Sequence, residues 1–187
     1  SPDGEDRVVA ETGTAPAAGV DVLIAEDSRM QARILQKRLT DAGHTVRWAE
    51  NGALAIEMAR ERRPQIIISD IEMPVATGYD FCKAVKTDSS LRTVPFILLS
   101  TLSDPIDIIR GLDAGADNYV TKPYEPDYLL GRMQALLATP LESEEEAAAT
   151  LEVTLAGQQF RVKAGRQQVL NLLVSTFENA VAKNQEL

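Results

Sequence analysis

The chain has 187 residues, 44% of them hydrophobic, which is enough for one ordinary domain and a smaller addition. Nineteen Lys and Arg residues against 28 Asp and Glu residues give a formal net charge of −9, which argues against a nucleic-acid surface. Cys82 is the only cysteine, so a disulfide framework and a thiolate zinc site are excluded, and a reducing, cytoplasmic setting is expected.

The N-terminal segment, residues 1–19, is rich in Pro, Gly, Ala and polar residues and has no sustained periodicity. We expect a disordered leader there, and it lacks the character of a signal peptide. No apolar run in the sequence approaches the length that spans a bilayer, so no membrane segment is predicted.

From Val20 onward, short β-branched runs alternate with amphipathic stretches. The apolar runs predict five strands, at 20–25, 44–49, 65–69, 95–100 and 118–121. The amphipathic stretches predict five helices, at 28–42, 51–62, 79–87, 105–114 and 125–137, with Gly43 and Gly115 ending two of them and Asp104 capping the fourth. Continuous apolar strands between helices predict a parallel sheet covered on both faces.

Four polar side chains fall at the ends of predicted strands. Asp27, Asp70, Ser100 and Lys122 lie at or just past strands one, three, four and five. Because ligands of such sheets gather beyond the carboxyl ends of the strands, near the switch in strand order, we expect these groups to converge on one edge.

The composition changes after Ala138. Residues 139–150 form an acidic, alanine-rich linker. Two alternating segments, 151–155 and 159–163, flank Ala156-Gly157-Gln158 and predict a β-hairpin spanning 151–164.

The segment 165–187 is predicted to be helical. Its apolar stripe follows the a/d spacing of a coiled coil, at Leu170, Leu173, Phe177, Ala180, Asn184 and Leu187. The stripe fits a dimeric coiled coil, and it also fits the buried face of a helix folded against the hairpin or the first domain.

The motif residues resemble the receiver domain of response regulators in two-component signalling. They are Glu26-Asp27, Asp70, Ser100, Lys122-Pro123 and the run from Asp70 through Met73-Pro74 to Gly78. Ser100 lies 30 residues and Lys122 lies 52 residues after Asp70, spacings that fit the family. The resemblance covers residues 20–138. It implies a doubly wound, flavodoxin-like α/β fold with strand order 2-1-3-4-5, to which the hairpin and a long C-terminal helix are added.

The resemblance implies that Asp70 accepts a phosphoryl group from the phosphohistidine of a histidine kinase or phosphotransfer domain. A carboxylate that attacks a phosphoryl group must overcome the repulsion of two anions, which a bound Mg2+ relieves. Asp27 and Asp70, with Glu26 acting through water, would supply oxygen ligands, and the backbone carbonyl of Glu72 would complete the protein ligands.

The remaining motif residues have implied roles in the same reaction and its output. Lys122 would pair with Asp70 before the reaction and with a phosphoryl oxygen after it. Ser100 would donate its hydroxyl to another phosphoryl oxygen, and Tyr119 would turn inward behind it. The surface formed by 105–137 would carry the change.

The segment 151–187 resembles the connection between receiver and kinase domains in hybrid sensor histidine kinases. This implies that the chain is the N-terminal part of such a kinase and a homodimer through its last helix. The chain itself has no kinase motif, so we expect no enzyme activity beyond Mg2+-dependent self-phosphorylation and autodephosphorylation.

Two other functions fit parts of the pattern. A phosphatase of the haloacid dehalogenase type also uses a strand-end Asp with Mg2+, but it expects a second Asp where Glu72 stands. A phosphate-independent dimerisation scaffold would use the last helix alone. His44 is expected to be a surface or packing residue, and Trp48 and Cys82 to be packing residues.

Overall fold

The fold is built on a parallel sheet of five strands. The computed structural model describes residues 19–101, 105–138, 150–155 and 158–163. The strands of the sheet are β1 (Asp21–Ala25), β2 (Thr45–Ala49), β3 (Ile66–Asp70), β4 (Phe96–Ser100) and β5 (Asn118–Thr121). They lie in the order β2-β1-β3-β4-β5, and every neighbouring pair is parallel. The predicted doubly wound sheet is therefore confirmed, with the strand order reversing between β1 and β3.

Five helices cover this sheet: α1 (Arg29–Asp41), α2 (Gly52–Glu61), α3 (Gly78–Thr87), α4 (Pro105–Ala114) and α5 (Pro126–Ala138). Ser28, Asn51 and Thr77 cap the first three with side-chain oxygens that accept backbone N–H groups. Gly43 and Gly115 follow α1 and α4 with a φ of 95°, a left-handed conformation that glycine adopts without strain. These signals are local in sequence, which is why the predicted helix limits lie close to the observed ones.

Both faces of the sheet are buried. Along β3, Ile66 and Ile68 pack towards α1 and α5, whereas Ile67 packs towards α2 and α3. Burying one such side chain stabilises the fold by roughly 1.5–3 kcal/mol. The rings of Phe81 on α3 and Phe96 on β4 meet edge to face at 5.1 Å, which links a helix to the sheet centre. The strands must therefore be apolar on both sides, leaving their ends as the place for polar groups.

A second sheet has two antiparallel strands, β6 (Thr150–Leu155) and β7 (Gln158–Lys163). Leu155 pairs with Gln158, so the loop has two residues rather than the expected three. Residues 1–18 of the predicted leader, 139–149 of the predicted linker, the Asp104 cap and the predicted helix 165–187 lie outside the described residues. Within the described ranges, no helix has both the length and the apolar character required to cross a membrane.

A buried ion pair joins α3 to the segment leading into β5. Lys86 Nζ lies 2.7 Å from Asp117 Oδ2, and these side chains are 13% and 2% exposed. The ammonium also donates to the backbone carbonyl oxygens of Arg92 and Val94, at 3.2 and 2.8 Å. Asp117 Oδ2 in turn accepts the backbone N–H of Phe96 at 2.8 Å. These hydrogen bonds offset the cost of removing two charges from water and join the strands at their amino ends.

Replacing Asp117 by Asn should lower the free energy of unfolding by about 3 kcal/mol, because the Lys86 ammonium would stay buried without its counter-charge. Urea unfolding of the variant measures the loss. Asp41→Asn is the matched control, since it breaks the exposed ion pair with Lys37 and should change stability little. Equal losses in the two variants would contradict this account of the buried pair.

Candidate functional site

The carboxyl ends of four strands bring polar side chains to one edge of the sheet. Glu26 directly follows β1, Asp70 and Ser100 are the last residues of β3 and β4, and Lys122 directly follows β5. The strand register aligns these ends, since Asp70 pairs with Leu99 and the next residue, Ser100, is paired with β5. The predicted convergence of polar groups thus follows from parallel strands that end at similar levels.

Three carboxylates form an acidic cluster at this edge. Oxygens of Glu26, Asp27 and Asp70 all lie within 4.8 Å of one another. Glu26 and Asp70 are buried, whereas Asp27 is exposed. Carboxylate oxygens are the ligands that Mg2+ prefers, and a half-open cluster leaves room for water in its shell. The donor set therefore fits a small divalent cation.

Lys122 balances part of this negative charge. Its ammonium donates to Asp70 Oδ2 at 3.1 Å and to Glu26 Oε2 at 3.2 Å. A third and shorter hydrogen bond, 2.8 Å, runs to Oε1 of Gln31 on α1. Burial by itself lowers the pKa of Lys122, but the charges of Asp70 and Glu26 outweigh it and raise the pKa above its ordinary value.

Glu26 has a perturbed affinity for protons. Burial, and after it the neighbouring charge of Asp70, raise its pKa from 4.5 to about 7. A hydrogen bond from the Ser28 backbone N–H, at 3.1 Å, and the Lys122 ammonium act against this shift. Three carboxylates thus share one edge with a single described lysine, and the raised pKa of Glu26 favours its protonated form below about pH 7.

The loop after β3 is shaped by Gly78. The backbone N–H of Gly78 donates to the carbonyl of Ile71 at 2.9 Å, and the N–H of Ile71 donates to Asp70 Oδ1 at 2.8 Å. A Cβ on Gly78 would collide with the backbone carbonyl oxygen of Asp70, so only glycine allows this close approach. The loop therefore orients the Asp70 carboxylate, and Glu72 follows in it with an exposed side chain.

Ser100 and Tyr119 form a buried pair next to the cluster. The hydroxyl groups of the two residues are hydrogen bonded, and both side chains are buried. Burial raises the pKa of Tyr119, and the bond to Ser100 partly opposes this. The Tyr119 ring packs against Gly111 of α4, where an added Cβ would come within 3.2 Å of it. Tyr79 reaches the same helix, because its hydroxyl donates to the Asp107 carbonyl at 3.0 Å.

The structure brings most of the predicted residues together. Glu26, Asp27, Asp70 and Lys122 form one cluster, and Ser100 lies at the same edge with its hydroxyl bonded to Tyr119. His44 lies elsewhere, with Nδ1 accepting the Val20 N–H at 3.2 Å near the amino ends of the strands.

The structure also shows contacts that the sequence analysis did not predict. Cys82 packs in the core as predicted, but Trp48 does more than pack, since its Nε1 donates to the Glu26 carbonyl at 2.8 Å. Gln31 and Gly111 also contact site residues, and neither was identified from the motif pattern. Gln31 could have been suspected from the sequence, because it lies in the first turn of the helix that begins directly after Glu26 and Asp27.

Comparison with known proteins identifies the family that the sequence matches. The family model described as "Response regulator receiver domain" matches residues 22–134. "Probable transcriptional regulator ycf27" of Guillardia theta is 40% identical over 116 residues, covering 62% of this chain and 44% of the relative. The chain spans about half the length of the curated relatives it matches.

Two solved structures are similar over almost their whole length. The signal receiver domain of a signal transduction histidine kinase from Syntrophus aciditrophicus is 38% identical, with a TM-score of 0.61 over 74% of this chain and 99% of that one. The receiver domain of the Pseudomonas aeruginosa sensor histidine kinase PA1611 is 26% identical, with a TM-score of 0.62 over 65% and 100%. That receiver domain holds a magnesium ion in its active-site cleft.

The raised pKa of Glu26 predicts a pH dependence of stability in the absence of Mg2+. The pKa of Glu26 is 4.5 in the unfolded chain and about 7 in the folded protein, so between these pH values the folded protein binds more protons than the unfolded chain. Stability should therefore fall as pH rises through this window, by at most about 3 kcal/mol. Urea unfolding with a chelator, from about pH 5 to about pH 8, measures this fall.

Glu26→Gln is the matched variant, because its amide oxygen can still accept the Ser28 N–H but cannot ionise. The variant should lose less stability than the wild type over the same pH range. Added Mg2+ should narrow the difference at high pH, since it favours ionised carboxylates. Parallel pH curves for the two proteins would show that Glu26 does not hold the proton.

Proposed function

This chain belongs to the family of response regulator receiver domains, and we propose that its Asp70 accepts a phosphoryl group from a phosphohistidine with the help of Mg2+. The observation that carries the proposal is the position of Asp70, a buried strand-end carboxylate between two further acids and the Lys122 ammonium. An oxygen of Asp70 bonds to phosphorus as the phosphorus–nitrogen bond breaks. The electron pair of that bond leaves with the imidazole of the donor.

Glu26, Asp27 and Asp70 would hold the cation, with the backbone carbonyl of Glu72 as a further ligand. When bound, Mg2+ supplies positive charge that lowers the repulsion between the carboxylate and the phosphoryl oxygens. The acidic cluster supports this assignment, as does the magnesium ion in the receiver domain of PA1611.

Lys122 and Ser100 complete the proposed reaction site. Lys122 lies within hydrogen-bond distance of Asp70, so its ammonium can follow the charge from the carboxylate to a phosphoryl oxygen. Ser100 donates its hydroxyl to a second phosphoryl oxygen, which requires it to exchange its present bond to Tyr119.

The same exchange of hydrogen bonds is the proposed way in which phosphorylation of Asp70 changes the protein surface. Tyr119 bridges Ser100 and α4, and its ring packs directly on Gly111. A shift of the Ser100 hydroxyl towards a phosphoryl group would break its hydrogen bond to Tyr119. The Tyr119 ring would then be able to move, and the surface formed by 105–137 would change with it. Phosphorylation thereby biases a two-state element that a partner or the C-terminal segment can detect.

Asp70→Asn should abolish phosphate incorporation from acetyl phosphate and Mg2+, because the amide cannot act as the nucleophile. Acid-labile, hydroxylamine-sensitive radiolabel on the intact chain measures incorporation. Asp113→Asn, at an exposed position of α4, is the control and should be labelled like the wild type. Full labelling of Asp70→Asn would refute the assignment. A wild type that neither labels nor responds to a beryllofluoride mimic would favour the phosphate-independent scaffold.

An exposed apolar patch beside the site supports docking of a histidine kinase or phosphotransfer domain. Met30 and Ile34 on α1 are 74% and 58% exposed, and they lie within one turn of Gln31, which contacts Lys122. Ile34 also lines a shallow groove with Tyr124 and Leu130 of the α5 side. Exposed apolar side chains grouped beside a reaction site are typical of protein interfaces.

We propose that residues 20–138 form the receiver domain, followed by a linker at 139–150, the hairpin at 151–164 and a signalling helix at 165–187. The whole would be the N-terminal part of a cytoplasmic hybrid sensor histidine kinase. The Syntrophus aciditrophicus structure supports this context, because that structure is the receiver domain of a signal transduction histidine kinase. The Guillardia theta relative supports a transcriptional regulator instead, and the coding sequence after Leu187 distinguishes the two.

The heptad stripe in 165–187 predicts a dimer. Leu173→Lys should convert the intact chain to a monomer, because it puts a charge at a core position of the proposed coiled coil. Ser175→Lys, outside the stripe, is the control and should remain dimeric, whereas deletion of 166–187 should give a monomer. Sedimentation equilibrium measures the mass, and a wild-type chain that is already monomeric would defeat the prediction.

A further inference from the structure

The Lys122 ammonium has three N–H donors, and the structure gives each an acceptor. Two acceptors are the carboxylates of Asp70 and Glu26. The third is Oε1 of Gln31, which makes the shortest of the three bonds at 2.8 Å. Gln31 is 91 residues away from Lys122 in the sequence and belongs to none of the motifs that define the site.

Gln31 is held in place by the start of α1. Its backbone N–H donates to the Ser28 side chain at 3.4 Å, and the Ser28 N–H donates to Glu26 Oε1 at 3.1 Å. The first turn of α1 is therefore tied to the acidic cluster through Glu26. This fixes the point from which the Gln31 side chain reaches across to Lys122.

The third acceptor differs from the other two in chemistry. Asp70 and Glu26 are ionisable carboxyl groups that the proposed reaction engages, since Asp70 would gain the phosphoryl group and both would hold the cation. Gln31 is neutral and bonds to neither phosphorus nor a metal in the proposal. Its amide oxygen can therefore accept the Lys122 hydrogen bond both before and after phosphoryl transfer. A lysine ammonium is a point charge on a flexible stem, so an acceptor that stays constant restricts where it lies.

We propose that Gln31 is a positioning residue, whose amide oxygen holds the Lys122 ammonium over Asp70 for the incoming phosphoryl group. This inference rests on the proposed phosphoacceptor function. Its consequence is that part of the reaction rate depends on a side chain of α1 that never contacts the reacting atoms.

The kinetic test uses the full chain with Mg2+ and acetyl phosphate, a small donor that needs no docking partner. Gln31→Met keeps the length and helix propensity of the side chain but removes the acceptor. It should slow labelling at saturating acetyl phosphate by about threefold to tenfold, the net effect of one typical intramolecular hydrogen bond. The Mg2+ concentration for half-maximal labelling should stay unchanged. Gln36→Met on the same helix is the matched control and should label like the wild type.

A second measurement does not depend on phosphorylation. In Lys122→Met, the side-chain amide signals of Gln31 in a ¹H–¹⁵N spectrum should shift, while those of Gln36 should not. If the wild type is labelled and Gln31→Met labels equally fast, the positioning role is overturned. If the wild type is never labelled, the proposed phosphoacceptor function is wrong. If the Gln31 amide signals do not shift in Lys122→Met, the hydrogen bond between Gln31 and Lys122 is overturned as well.

Discussion

Repulsion among three carboxylates at one edge of the sheet is the interaction on which the site depends. Oxygens of Glu26, Asp27 and Asp70 lie within 4.8 Å of one another, two of the residues are buried, and like charges at that distance destabilise each other strongly. The fold accommodates them in two ways. Lys122 bonds to both buried acids, and Glu26 retains a proton until its pKa near 7. A cation would be a third way, which explains why an acidic edge of this kind fits Mg2+.

The same edge is connected to the rest of the molecule through a few side chains. On one side, Gln31 links Lys122 to α1, and Met30 and Ile34 expose an apolar patch on that helix. On the other, Tyr119 links Ser100 to α4 through a contact that only a small residue at Gly111 permits. In the proposed function, phosphoryl input would therefore arrive at α1, and the change in state would leave by α4.

At the opposite end of the sheet, buried charges stabilise the fold. There the ion pair of Lys86 and Asp117 is enclosed by backbone hydrogen bonds and joins α3 to β4 and β5. Buried and fully bonded charges at this end hold the strands in register. In the proposed function, incompletely compensated charges at the other end would make the site responsive to protons, to a cation and to an added phosphoryl group.

Within residues 20–138, the sequence by itself determined the strands, helices, sheet type and acidic edge of this protein. Those features depend on local signals, such as the apolar run at 66–68, the Ser28 cap and the glycine after α1, and on parallel strands ending together. The pKa of Glu26, the bond from Gln31 to Lys122 and the fit of Tyr119 against Gly111 were decided by packing. Each depends on groups far apart in the chain, and burial, distance and steric fit between such groups exist only once the helices have docked on the sheet.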